Sequence, residues 1–405
     1  MNTAIQRRDR AWIDTYVTVL CGPFEMPSTD ALRHAVSVLA QRYPHSRLTS
    51  GTDGEKRRWT TDREIESIVV ERDWDDAVEV AQRIDDLAAD ETLEPPLTLI
   101  RYPKHIGLRM SHGVGDGRQF LTVIAAVFHT AASGEVVAWP VAPAAPFPLT
   151  RAAVRTFGRR PGLIRRAFAD RISDPGTDCV PRGLRPWTPA RRSNQTVMPP
   201  DKTGEMMAWS KDCAPRASRF SLQVALVLKA LDRVGLSVSP SVGLIVDLRR
   251  YLGWRYIDGN FVAGVPMRLT AQMSPEQITS RIKATNASGR PLAGHMLASL
   301  RGGVAMPVPT SIEVGGLPRV TFSNLGRSPE IESLPFLRDA PTVYAGSVPP
   351  EGPLGLTVLT GETAGVMVFG TTFHDNVIDP GVFADAMKLI VSDPVGVLSG
   401  PAGAD

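Results

Sequence analysis

Residues 97–134, LTLIRYPKHIGLRMSHGVGDGRQFLTVIAAVFHTAASG, constrain the fold more than any other part of the chain. Two apolar runs, Leu97 to Tyr102 and Ile106 to Met110, have strand length. A turn containing Gly113, Gly115 and Gly117 follows. Phe120, Leu121, Val123, Ile124, Val127 and Phe128 then recur at helical spacing, and Gly134 marks the end. The pattern predicts strand, strand, loop, helix. His112 and Asp116 fall in the loop, where a buried strand surfaces and the glycines leave the backbone free to bend. In a helix these two residues would share a face, but two intervening glycines disfavour helix there. In a tight loop the carboxylate is expected to point away from the imidazole and anchor the turn elsewhere.

HxxxD alone is a weak signal. The following glycine cuts chance matches more than about tenfold, because glycine is roughly 7% of residues. A hydrogen-bonded structural histidine remains the plain alternative to a catalytic one. A metal pair is a further alternative, but neither His105, His129 nor any cysteine completes a ligand spacing, so no metal is expected.

SHGVGDG, after an apolar strand and before an apolar helix, resembles the HxxxDG signature of the CoA-dependent acyltransferase superfamily. That superfamily includes nonribosomal peptide condensation domains, chloramphenicol acetyltransferase, plant BAHD enzymes, wax ester synthases and mycobacterial polyketide-associated acyltransferases. Two later stretches are similar to it in order: DLRRYLGWRYIDGNFVAGVPMRL, with an arginine-bearing strand end before a GNF-like motif, and VTFSNLG, with its SN-x-G. The sequence departs from the condensation pattern at Ser111, where a first histidine is usual, and lacks the DFGWG of the plant-type enzymes.

The resemblance implies an α/β (α+β) fold with two chloramphenicol-acetyltransferase-like sandwich domains around a central tunnel. Residues 1–150 would form the first domain, 151–200 a Pro/Arg-rich crossover and 201–405 the second. It implies an acyltransferase of bacterial secondary or lipid metabolism, acting on a hydroxyl or amine of a small molecule. Acyl transfer needs a base near neutrality, and His112 meets that requirement. No GxSxG elbow supports an acyl-enzyme, so direct attack is expected. Asp116, followed by Gly117, would be held structurally by Arg249 or Arg250. Ser323 and Asn324 are candidates for the oxyanion or a substrate contact, with Asn324 equally a turn residue. The co-substrate is expected to be acyl-CoA or acyl-phosphopantetheine on an acyl or peptidyl carrier protein, with no bound cofactor. A cyclase or dehydratase acting on a tethered intermediate, or a non-catalytic condensation-like binding module, is the alternative.

A chain of 405 residues suggests about two to three domains. Its net charge of +3 is no nucleic-acid polyelectrolyte. Cys21, Cys179 and Cys213 are too few and too dispersed for a disulfide scaffold. Without an apolar signal core or a run of membrane-spanning length, a cytoplasmic soluble protein is expected. Arginines 151, 155, 159, 160, 165 and 166 and then 182, 185, 191 and 192 cluster in the crossover with few acids. They form either a solvated linker helix or, around Arg159 and Arg160, a docking surface for a phosphate-bearing donor or acidic carrier.

Elsewhere a strand over Trp12 to Leu20 precedes a helix capped by Ser28. SRLTS and RRWTT suggest a hairpin, IESIVVER a strand, and DWDDAVEVAQRIDDLAADE a helix. The second half is predicted to run as strand EMMAWSK, helix SLQVALVLKALDRVG, strand VGLIVDLRR and a helix from Ser274. VTFSN, TVYAGSV, LGLTVLTG and GVMVFGTTFH then read as strands, with GETAG as a hairpin turn before a last helix, PGVFADAMKLIVS.

Overall fold

A computed structural model describes residues 3–400 except 45, 62, 94–95, 138, 140–145, 159, 173–182, 254–256, 258, 301–307 and 364. The first half holds strands β1 (Tyr16–Gly22), β2 (Val69–Glu71), β3 (Leu97–Arg101) and β4 (Ile106–Ser111) with helices α1 (Thr29–Arg42), α2 (Val80–Ala89) and α3 (Gly117–Ser133). Side chains alternate across a strand, so Val17, Val19 and Cys21 of β1 share a core with Leu97, Leu99, Ile106, Leu108 and Met110 beneath α1 and α3. Leu20 and Ile100 face the other way, onto Ile84 and Leu87 of α2. Ser28 caps α1 by accepting the Ala31 N–H, and Gly134 ends α3 in the left-handed region that glycine adopts without a Cβ penalty.

The second half contains β5 (Arg191–Met198), α4 (Pro200–Cys213), α5 (Arg219–Arg233), β6 (Ser241–Asp247), β7 (Val262–Arg268), α6 (Pro275–Ser288), β8 (Arg319–Arg327), β9 (Val343–Ser347), β10 (Gly355–Thr363), β11 (Val366–His374) and α7 (Pro380–Ser392). Six of its strands form a mixed sheet in the order β7-β6-β8-β10-β11-β5. The buried helix α5 and the inner face of α7 close its core. β9 does not join this sheet. It pairs antiparallel with β1, Val343 opposite Gly22 and Ser347 opposite Thr18, so the first sheet runs β9-β1-β4-β3-β2. The result is a mixed α/β protein with two sheet-based halves.

Several local expectations change. EMMAWSK is helical, inside α4: Pro200 supplies a ready first-turn residue, and Thr203, Met206 and Ser210 are buried at helical spacing. SRLTS forms a 3-10 turn at Arg47–Thr49, because Arg47 is drawn inward to the buried Asp9, with Nη1 to Oδ2 at 2.8 Å. The short hairpin is instead Gly51–Thr52 with Arg58–Thr60. IESI is also a 3-10 turn, and only Val69–Glu71 is strand. The hairpin expected at GETAG does form, β10 running as far as Thr363, which pairs with Val366 of β11. Residues 191–198, inside the expected crossover, are the edge strand β5. The crossover also contains helices Pro148–Ala153 and Gly162–Ile172, whose buried Ala152 and Ala167 pack inward while Arg151, Arg165 and Arg166 stay exposed. Arg182 and Cys179 lie outside the described residues.

Candidate functional site

The loop after β4 is tied to the segment before β1. Ser111, standing where condensation enzymes usually carry a histidine, donates from Oγ to the Ile13 carbonyl at 2.6 Å. The His112 N–H donates to the Thr15 carbonyl at 2.7 Å, and the Gly113 N–H to that of Trp12 at 3.1 Å. These bonds fix the backbone while the imidazole lies between two aromatic rings, Trp12 at 5.2 Å and the edge-on Phe120 at 5.4 Å. Burial among them pushes the His112 pKa below its ordinary 6.5, against the opposing pull of Asp116. Nδ1 is buried without a hydrogen-bond partner among the described residues, and the neighbouring backbone of His112 and Gly115 joins Asp116 in opposing the fall in pKa.

Asp116 points away from His112. Its Oδ2 accepts from Arg249 Nη2 at 2.6 Å, and both residues are buried. Its N–H donates to Gln119 Oε1 at 3.0 Å, which holds the first turn of α3. Arg249 sits in a 3-10 turn after β6 and also donates from Nη1 to Asp247 Oδ2 at 3.2 Å. Burial lowers the arginine pKa, but the two carboxylates outweigh it and the net shift is upward. Burial raises that of Asp247, with Arg249 opposing. A Cβ on Gly117 would overlap Leu325 Cδ2, so the glycine lets the start of α3 abut β8 of the other half.

Between these elements lies a cavity of about 350 Å³. His112, Asp116, Gly117, Arg249, Ser323 and Asn324 all line it. Asn324 accepts the Gly326 N–H at 2.6 Å where the β8 register shifts, and so serves as a bulge residue. Ser323 is half-buried beside it. The acid's partner is Arg249, whereas Arg250 is exposed and outside the lining. Arg160 is likewise exposed and away from the cavity, and Arg159 lies outside the described residues.

Sequence reasoning missed Trp12, whose contact with His112 spans about a hundred positions and leaves no local pattern. It also missed Asp247, visible in DLRR as a strand-end carboxylate two residues before an arginine. Arg118, Arg327 and Glu330 complete the charged part of the lining. Among the described residues no group of three His, Cys, Asp or Glu could hold a metal ion. No helix among them is long and apolar enough to cross a membrane.

No family model matches the chain, and no curated protein gives a significant match. Solved structures do match over nearly its whole length. The first condensation domain of the CDA synthetase is 16% identical, with 100% of this chain and 97% of that one covered and a TM-score of 0.61. Polyketide synthase associated protein 5 from Mycobacterium tuberculosis is 15% identical, with 98% and 99% covered and a TM-score of 0.58. VibH, an NRPS condensation enzyme, is 15% identical, with 95% and 90% covered and a TM-score of 0.54. These matches show that the chain shares the fold of those condensation-type proteins, two sheet-based halves across nearly its full length.

Proposed function

We propose that the chain is an acyltransferase, of secondary or lipid metabolism, that moves an acyl group from a thioester to a hydroxyl or amine of a small molecule. The observation that carries this reading is His112, half-buried with its pKa lowered by desolvation, in a cavity between the halves while Arg249 engages Asp116. A neutral imidazole protonated on Nδ1 leaves the Nε2 lone pair as base. Nε2 takes the acceptor proton as the acceptor oxygen or nitrogen attacks the thioester carbonyl carbon. The carbonyl π electrons move onto oxygen, where the Ser323 hydroxyl supplies a hydrogen bond. Collapse of this intermediate expels the thiolate, which recovers the proton from the imidazolium. The products are the ester or amide and a free thiol.

The donor is acyl-CoA or a carrier-bound acyl-phosphopantetheine, and Arg160, with Arg159, offers positive charge for its approach across the crossover. The neighbouring structures include an epimerization domain and a cyclization-docking bidomain, so the fold accommodates chemistry other than transfer. Intact-mass and product analysis with a panel of acyl-CoA and acyl-carrier donors and acceptors tests the proposal. Joint consumption of donor and acceptor is expected. Rearrangement of one tethered substrate without an acceptor would replace transfer by cyclisation or epimerisation, and no reaction with any donor would leave a binding module.

A further inference from the structure

The cavity is lined by both charged and apolar side chains. Asp116, Arg249 and Arg327 are among the first, and Val17, Val19, Val348, Leu325 and Leu359 belong to its apolar wall. Behind that wall is a second space, about 10 Å³, at the seam where β9 meets β10 and β11. Val19, Leu325 and Leu359 line both. The second space is apolar: Tyr344 has the only polar side chain in its lining, and that hydroxyl is engaged with Ser328 Oγ at 2.9 Å. A space this small, with no free side-chain partner, does not suit an ordered water, which needs two to four polar contacts. Leu359 is 6% exposed and reaches across to Gly346, whose missing side chain makes room for its Cδ2.

We infer that the two apolar spaces are one aliphatic acyl-chain pocket interrupted by Leu359, and that Leu359 sets the length of acyl group the protein accepts. This rests on the acyltransferase reading and adds its substrate class: an aliphatic acyl thioester whose chain lies along Val17 and Val19. Shortening the Leu359 side chain joins the spaces, and enlarging it moves the end wall towards His112.

Binding of S-alkyl pantetheine thioethers of increasing length, with turnover of the matching acyl thioesters, tests the inference. Affinity for the unaltered protein should rise about fourfold per methylene until the chain meets Leu359, then level off. Leu359→Ala should move that break to longer chains and Leu359→Phe to shorter ones. If either folds poorly, Leu359→Val and Leu359→Met carry the same comparison with smaller shifts. An unchanged break in the variants, or a shift confined to acceptor length, would overturn the role of Leu359 and leave the acyltransferase reading standing. Failure of the unaltered protein to bind or turn over any member of the series would remove that reading itself.

Discussion

Arg249 and Asp116 stand 133 residues apart in the chain and 2.6 Å apart in space, Nη2 to Oδ2. The bond crosses from the turn after β6 to the start of α3 and so joins the two halves beside the cavity. Asp116→Asn leaves Arg249 buried with Asp247 as its remaining carboxylate. Loss of one partner from a buried pair costs about 3–5 kcal/mol. Because Asp247 stays, the lower end of that range is expected, read as a fall in urea midpoint together with lost activity. A double-mutant cycle with Arg249→Met should show coupling, and additive losses would remove the bridge from the account.

His112→Ala should lower turnover at least about 10²-fold with saturating substrates, because the acceptor loses its base. Turnover near that of the unaltered protein would show that another group takes the proton.

Burial favours neutral His112, so the active form should persist below the ordinary histidine pKa of 6.5. kcat/KM should be level through neutrality and fall only on an acid limb with its inflection below 6.5. Asp116→Asn removes a charge that favours the imidazolium, so residual activity should fall at still lower pH. An inflection above 7 would contradict the desolvation of the imidazole.

The start of α3 gives a steric test. Gly117→Ala should reduce activity and lower the melting temperature modestly, because its Cβ overlaps the Cδ2 end of Leu325, a cavity-lining side chain that must shift. Leu325→Ala in the same chain should restore part of the lost melting temperature by opening that space. Absence of any rescue would mean the contact does not limit how closely the halves pack.

Two further histidines make stability sensitive to acid. His105 stacks on Trp74 at 3.8 Å and His295 is edge-on to Phe261, and burial lowers each pKa to about 4. In the unfolded chain both take up protons near 6.5, so the unfolded state binds more protons as pH falls from 6.5 towards 4. Stability should drop over that window by up to about 1.4 kcal/mol per pH unit for each residue. His105→Phe should flatten the slope, as read from urea midpoints at several pH values, and an unchanged slope would exclude His105 as a source.

What the sequence disclosed depended on how local the physics was. The strand, loop and helix around His112 follow from alternation, glycines and helical spacing within some forty residues. That Asp116 would anchor the turn to another part of the protein followed from the glycines in its loop. The choice between Arg249 and Arg250 did not, since it depends on how a one-turn 3-10 segment after Asp247 presents successive side chains. EMMAWSK misled because its methionines and tryptophan suit either period, and only the tertiary burial of Thr203, Met206 and Ser210 decides for helix. Trp12, in the turn before β1, and Leu359, on β10, owe their places to the packing of segments far apart in the chain, which no short window records.

β9 lies late in the chain and is hydrogen-bonded early, a five-residue ladder from Val343 to Ser347 along β1. Gln195 of β5 adds a side-chain bond to the Gly346 carbonyl at 3.1 Å. Swinging the halves apart like a clamshell would tear this ladder and strip β1 of a neighbour, exposing an unpaired strand edge. Neither half can be lifted out as an independent module: severed before residue 343, the first would lose β9, the neighbour of β1, whose Val17 and Val19 line the cavity.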